Sequence, residues 1–220
     1  MQHSVSIKLS GQVLELLPEK AIFWKHAQTL IVSDLHLGKA GHFRKSGIPA
    51  PTGINQKTIV RLDALMQRYM PGRLLMLGDL FHSDANRQWL EFERFTNKWS
   101  TIEMLLIRGN HDCLHPSFYD AAGITCIESL EESGFLFLHD ADETTDYPEN
   151  IITVSGHIHP GVLLRGKARQ SLRLPCFLMS PQKMLLPAFG EFTGLHTIKP
   201  KPDEKIYAVA ENRVIPLQLK

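Results

Sequence analysis

Seven side chains in this sequence have the chemistry to hold metal ions: Asp34, His36, Asp79, Asn110, His139, His157 and His159. They offer carboxylate, imidazole and carboxamide donors and no thiolate. Such a mixed oxygen and nitrogen set disfavours a structural zinc knuckle and suits octahedral or five-coordinate Mn²⁺, Fe²⁺ or Zn²⁺. Seven ligands exceed what one catalytic ion can use while keeping a position open for water. They suit two ions roughly 3.5–4 Å apart that share a carboxylate and clamp a phosphoryl group between them.

Each candidate follows a short apolar run of the kind that forms a buried strand. Leu30-Ile31-Val32 leads into Ser33-Asp34-Leu35-His36-Leu37-Gly38, and Arg73-Leu74-Leu75-Met76-Leu77 into Gly78-Asp79-Leu80-Phe81-His82. Glu103-Met104-Leu105-Leu106-Ile107 is followed, after Arg108, by Gly109-Asn110-His111-Asp112. Phe135-Leu136-Phe137-Leu138 ends in His139-Asp140, and Ile151-Ile152-Thr153-Val154 in Ser155-Gly156-His157-Ile158-His159-Pro160. Polar groups gathered at strand ends mark the edge where open α/β sheets build their sites. Asp34 and His36 stand two apart, as do His157 and His159. In extended chain both members of such a pair share a face.

The elements that must position these groups are legible as periodicity. Val5–Leu9 and Val13–Leu17 alternate around Gly11-Gln12 and predict an opening hairpin. Over 54–69, Ile59, Leu62, Leu65, Met66 and Tyr69 form a helical stripe, stopped by Pro71-Gly72. Over 86–99, Trp89, Phe92, Phe95 and Trp99 do the same, and such an aromatic stripe is core packing. Strand, site and helix in that repeating order predict βαβ units with crossover helices. Residues 39–51 predict a loop bearing His42, Arg44 and Lys45, either ordinary solvated charges or a cationic lip for substrate phosphates. His115 and Pro116 read as loop punctuation, and the acidic clusters at 128–132 and 140–149 as solvated turn charges. Beyond Gly161 the chain is strand-rich, with runs at 162–164, 171–174, 176–179, 184–186, 206–210 and 214–217.

Composition narrows the setting. At 220 residues and 43% hydrophobic content the chain can fill one large core, and no seam suggests more than a single domain over 1–220. A formal net charge of +1 gives no bulk attraction to nucleic acid, so phosphate contacts must come from local cations. Cys113, Cys126 and Cys176 are too few for a disulfide framework and favour a reducing compartment. No signal peptide or membrane-length apolar run is visible, so a soluble cytoplasmic protein is expected.

The ordered motifs D-x-H, G-D, G-N-H-D, a lone His and G-H-x-H resemble the calcineurin-like metallophosphoesterase superfamily. Within it, Gly156-His157-Ile158-His159-Pro160-Gly161-Val162 and Leu186-Pro187-Ala188-Phe189-Gly190-Glu191-Phe192-Thr193-Gly194 are similar to the ligase-associated DNA damage response endonuclease family. The resemblance implies a four-layer α/β/β/α sandwich with a dinuclear metal site at the strand C-terminal edge. It implies that Asp79 bridges two divalent ions, with Asp34, His36 and His159 on one and Asn110, His139 and His157 on the other. Mn²⁺ is the expected ion, with Fe²⁺, Zn²⁺ and Mg²⁺ as alternatives. His111 resembles the superfamily's non-ligand histidine that contacts the scissile phosphate or protonates the leaving oxygen, and His82 its orienting partner.

The resemblance implies a metal-dependent phosphodiesterase, a DNA nuclease acting in repair with a DNA ligase or helicase as partner. Two alternatives stay open. One is a small-molecule phosphodiesterase or phosphatase, because the metal core is common to all of them. The other is an inactive scaffold that binds repair proteins, against which the complete ligand set counts.

Overall fold

In a computed structural model of this chain, the apolar runs form strands of two facing sheets. The structure describes residues 3–45, 47, 53–82, 87–141, 145, 147–166 and 170–218, less the side chains of His42, Arg44, Lys45 and Arg87. The first sheet is laid down in strict chain order. β1 (Val5–Leu9) and β2 (Gln12–Leu17) make the predicted hairpin, and β3 (Ala21–Trp24) and β4 (Thr29–Ser33) continue it antiparallel. Then β5 (Arg73–Leu77), β6 (Glu103–Ile107) and β7 (Ile124–Ile127) add parallel to β4. Parallel neighbours require crossovers. These carry α1 (Lys39–Lys45) and α2 (Ile54–Tyr69), then α3 (Arg87–Lys98), then α4 (Pro116–Ala121).

The helical stripes are buried where their periodicity puts them. Leu62, Leu65 and Met66 of α2 and Trp89, Phe92 and Phe95 of α3 pack on Leu74, Met76, Met104 and Leu106 from one face of the sheet. Two helices depart from the sequence expectation. Residues 39–45 are helical, not loop; Gly41 weakens the local signal, and the helix is held by burial of Ala40 and by Phe43, whose ring meets Phe192 at 5.6 Å. His115 and Pro116 do more than punctuate. His115 caps α4, its Nδ1 accepting from Ser117 N at 3.4 Å, and Pro116 opens the first turn.

The second sheet takes the remainder of the chain: β8 (Leu130–Glu132), β9 (Phe135–Phe137), β10 (Ile152–Ser155), β11 (Pro160–Arg165), β12 (Ser171–Met179), β13 (Lys183–Leu185), β14 (His196–Thr197), β15 (Lys205–Ala210) and β16 (Arg213–Leu217). Its main path runs β14-β11-β12-β13-β10-β9-β8, with β15 and β16 joined through β12. Between the sheets, Leu75, Leu77, Leu105 and Ile107 meet Phe135, Phe137, Val154, Phe177 and Met184. Among the described residues the layers are helix, sheet, sheet. Where the four-layer expectation puts a second helical layer, the outer face instead carries a smaller cluster of Val162, Cys176, Leu178, Leu185, Ile206 and Ala208.

Two details correct the element boundaries. Residues 171–179 are one strand through Pro175, which sits where β12 changes partner from β11 to β15. Part of the acidic cluster at 128–132 is strand β8, where Glu132 pairs with Arg73 at 2.8 Å. Residues 142–144 and 146 of the other acidic stretch lie outside the described residues.

Candidate metal centre

The parallel strands end level, Ser33 beside Leu77 and Leu77 beside Ile107, so their following loops share one edge. β9 and β10 are parallel in the facing sheet and deliver His139 and His157 to the same place. The loops after β4 and β5 are zipped together by backbone bonds: Asp34 N to Gly78 O (3.2 Å), His36 N to Asp79 O (2.8 Å) and His82 N to Leu37 O (2.8 Å).

Two groups of donors result. In the first, His36 Nε2 lies 3.1 Å from His159 Nε2, and His159 Nε2 lies 3.3 Å from Asp34 Oδ1. In the second, His139 Nε2 lies 3.1 Å from both His157 Nδ1 and Asn110 Oδ1. Asp79 stands between them, Oδ2 3.6 Å from His36 Nε2 and Oδ1 3.4 Å from His139 Nε2. Its two oxygens thus face different groups. All seven predicted candidates are brought together.

Imidazole nitrogens that face one another at 3.1 Å, beside carboxylate oxygens, converge on a point they do not fill themselves. Donors about 2.0–2.1 Å from one ion and at right angles stand about 3 Å apart, which fits this spacing. His139 Nδ1 is 3.0 Å from Leu77 O, a contact that assigns its proton to Nδ1 and leaves the Nε2 lone pair facing Asp79. Burial depresses His36 to about 2, with Lys39 and the neighbouring imidazoles adding, so its ring is neutral. His36 Nδ1 is buried with no hydrogen-bond partner among the described residues. The residues fit divalent cations.

The backbone is held in an unusual form to achieve this. Asp34 (φ 52°), His36 (47°), Asp79 (50°), His157 (63°) and His159 (52°) are all in the left-handed region. Side chains rarely adopt it, and such strain concentrates at functional sites. It also corrects the extended-chain expectation. Asp34 meets its group through a tight turn after β4, and so does His157 after β10, rather than by strand alternation. Gly78 (φ 74°) has a further reason to lack a side chain, because a Cβ there would land on the His139 ring.

His111 is outside both groups, with its backbone N–H donating to Asp79 Oδ1 at 3.0 Å. Its ring packs against that of His82 at 4.0 Å between centroids, and both lie 5.5–5.7 Å from His36. His82 therefore meets His111 ring to ring.

Two supports escape sequence reasoning. Asp112 reads as the last letter of a motif, yet it is buried and accepts from Leu80 N (2.8 Å), Phe81 N (3.2 Å) and Gly109 N (2.8 Å), tying the loop after β5 to the loop after β6. Burial pushes its carboxyl up to about 6 against the pull of those donors. The run from Leu186 to Gly194 braces the end of β4. Phe189 N donates to Ser33 O (2.8 Å) and Gly190 N to Asp34 O (3.0 Å). Arg61 pairs with Glu191, donates to Phe189 O and stacks 4.4 Å over the Phe189 ring, while Lys20 Nζ donates to Gly190 O at 3.0 Å. Burial, aided by Arg61, lowers Lys20 to about 7. The Arg44 and Lys45 side chains of the expected cationic lip lie outside the described residues. Cys113, Cys126 and Cys176 are free thiols. No described helix is long and apolar enough to cross a membrane.

Two oxygen and nitrogen donor groups with the Asp79 carboxylate between them, at the edge of facing sheets, define a centre for divalent metals that hydrolyses phosphoester bonds. The chain belongs to the calcineurin-like phosphoesterase family, whose model matches residues 27–173. It is similar to the Pseudomonas putida nuclease MPE, at 32% identity over 98% of this chain and 100% of that one, with a TM-score of 0.82. A phosphoesterase from E. coli, Yfce, matches at 14% identity over 85% of this chain and 96% of its own, with a TM-score of 0.45. A protein of unknown function from Aquifex aeolicus matches at 19% identity over 60% of this chain and 78% of its own, with a TM-score of 0.42. No curated protein matches.

Proposed function

We propose that this chain is a single-domain, dinuclear phosphodiesterase that cleaves DNA. The observation that carries the dinuclear assignment is the split of Asp79, one oxygen toward each donor group. Asp34, His36 and His159 would hold one cation and Asn110, His139 and His157 the other, with Asp79 available to both. Mn²⁺ is the proposed ion, in keeping with the thiol-free donor set. When bound, such divalent ions would lower the pKa of water and offset negative charge at phosphorus. His111, held beside Asp79 by its backbone bond, gives a proton to the leaving oxygen, and the packed ring of His82 fixes its orientation.

DNA as substrate is supported by similarity to the P. putida nuclease along nearly the whole chain. A setting in DNA repair beside a ligase or helicase belongs to the same proposal and rests on the family resemblance; a cytoplasmic location rests on the three cysteines, too few for a disulfide framework. The test compares single-stranded, duplex and nicked DNA with cyclic nucleotides and bis-p-nitrophenyl phosphate, with and without Mn²⁺. Mn²⁺-dependent cleavage of DNA is expected. Preference for cyclic nucleotides would replace DNA by a small phosphodiester, and metal-independent or absent hydrolysis of every substrate would remove the catalytic assignment.

A further inference from the structure

Between Asn150 and Gly190 the sequence has no acidic residue but carries Arg165, Lys167, Arg169, Arg173 and Lys183. In a chain whose 24 basic and 23 acidic residues nearly cancel, charge is segregated into this stretch. Its centre is the β11–β12 hairpin. β11 begins at Pro160, the residue after His159, so the hairpin is rooted in the metal centre.

Strand register shows where the hairpin goes. The end of β10 at Ser155 is level with Leu185 of β13, which is level with Leu178 of β12. β12 runs antiparallel to β13, so its residues from Phe177 back to Ser171 continue past the edge that bears the metal ligands. At about 3.3 Å per residue that is roughly 20 Å of projecting ribbon. β15 supports β12 only over Cys176–Met179, and β14 supports β11 only at Pro160 and Gly161. Outside these, 162–165 and 171–174 pair with each other and with no further strand among the described residues.

Side-chain alternation fixes the face. Phe177 and Met179 point between the sheets, and Arg173 shares their side of β12. Leu163 is opposite Arg173, and Arg165 is opposite Ser171, so Arg165 and Arg173 are diagonal neighbours on that same side. Such positions are about 7–8 Å apart. Both arginines are exposed, and neither has an ion-pair partner among the described residues. The opposite side carries the apolar Val162, Leu164 and Leu174. Lys167 and Arg169 belong to the same run but lie outside the described residues.

We infer that this hairpin is an arm that grips the nucleic-acid backbone away from the scissile phosphate, with Arg165 and Arg173 each contacting a phosphate. Two exposed guanidiniums, without an ion-pair partner among the described residues, on a ribbon that starts beside His159 and overhangs the catalytic edge are complementary to a polyanion threaded through that edge. The inference rests on the DNA reading proposed above and adds the surface that holds the strand.

The test uses the full chain with Mn²⁺ and the double variant Arg165→Ala/Arg173→Ala, checked for unchanged melting. Substrates are a single-stranded oligonucleotide of roughly 20 nucleotides, longer than the typical site of a single-strand binder, a dinucleotide, and bis-p-nitrophenyl phosphate. Loss of two phosphate contacts flattens the slope of log affinity against log salt by about 1.4, so the wild-type advantage shrinks about sevenfold over a fourfold salt rise. Hydrolysis of the dinucleotide and of the small phosphodiester is unchanged, and Arg165→Lys/Arg173→Lys keeps most of the slope. A wild-type chain that cuts the oligonucleotide while the alanine variant matches it in affinity and slope overturns the arm alone. Equal losses on all three substrates also overturn it, because the hairpin then serves the metal centre. A wild-type chain that hydrolyses bis-p-nitrophenyl phosphate but neither binds nor cuts DNA overturns the DNA reading and the arm together.

Discussion

Replacing Gly78 by Ala isolates what the backbone at the catalytic edge tolerates. Two effects add there. A Cβ at φ 74° costs about 1–2 kcal/mol as left-handed strain. The same Cβ meets Nδ1 and Cγ of His139 and lies 2.8 Å from its Cβ. That ring is buried and tied to Leu77 O at 3.0 Å, so it cannot step aside freely. Overpacking of this kind costs about 1–3 kcal/mol, which brings the sum to roughly 2–5 kcal/mol. For a chain of this length that lowers Tm by roughly 4–20 °C. Gly123→Ala is the matched control, because φ is 71° and a Cβ would touch nothing within 4 Å. It carries the left-handed strain alone, about 1–2 kcal/mol. Calorimetry gives the two melting losses, and elemental analysis after Mn²⁺ loading gives the metal content. The Gly78 variant is expected to melt lower than the control and to lose the cation held through His139, with activity falling alongside. Equal melting losses, with full metal content in both, would refute the packing account of Gly78.

Other expectations follow from the same contacts. Asp112→Asn sets an amide donor against a backbone donor in either orientation, because Leu80, Phe81 and Gly109 all donate to the carboxylate; a loss of about 2 kcal/mol is expected, and an unchanged melting curve would count against the tie between the two loops. His157→Ala should lose metal and recover part of its rate in excess Mn²⁺. His111→Gln should keep its metal, lose roughly 10²–10⁴ in turnover, resist rescue, and lose less on nitrophenyl esters; metal rescue of His111→Gln would mean the two roles are exchanged. Lys20 titrates at about 7 in the fold against 10.5 in the unfolded chain, so between those values the unfolded state binds more protons and stability rises with pH. Denaturant melts across that window should show the rise in wild type and its absence in Lys20→Met, and parallel profiles would refute the assignment.

The candidate site was legible because each donor follows an apolar run and is punctuated by Gly, Asp or His. Asp34, Asp79, Asn110, His139 and His157 all announce themselves as strand ends. The means of assembly was not legible. Residues two apart suggest extended chain, whereas His36 and His159 arrive through left-handed turns tied by backbone bonds to Asp79 and His196. Gly41 concealed α1, and charged residues concealed β8. Lys20 and Arg61 reach Gly190 and Phe189 across 170 and 128 residues of sequence, a separation at which no local pattern survives. The projecting face of the β11–β12 hairpin depends on register across three strands. The charge run is visible, but its direction is not.

The division of the two sheets along the chain has a consequence for synthesis. Among the described residues, every strand of the first sheet, with its four helices, lies between Val5 and Ile127, and the second sheet begins at Leu130. Synthesis runs from the N-terminus, so all of the helix-side core except Phe189 is made before the second sheet. Until Phe135, Phe137, Val154 and Phe177 arrive, Leu75, Leu77, Leu105 and Ile107 remain an uncovered apolar face that a chaperone would have to shield. Asp34, His36, Asp79 and Asn110 belong to the first half, whereas His139, His157 and His159, and the Phe189 and Gly190 backbone that braces Asp34, come with the later half. Neither donor group is complete before His157 and His159 are delivered. Both groups therefore close only when the second sheet has docked on the first, so the metal centre is the last part of the fold to be completed.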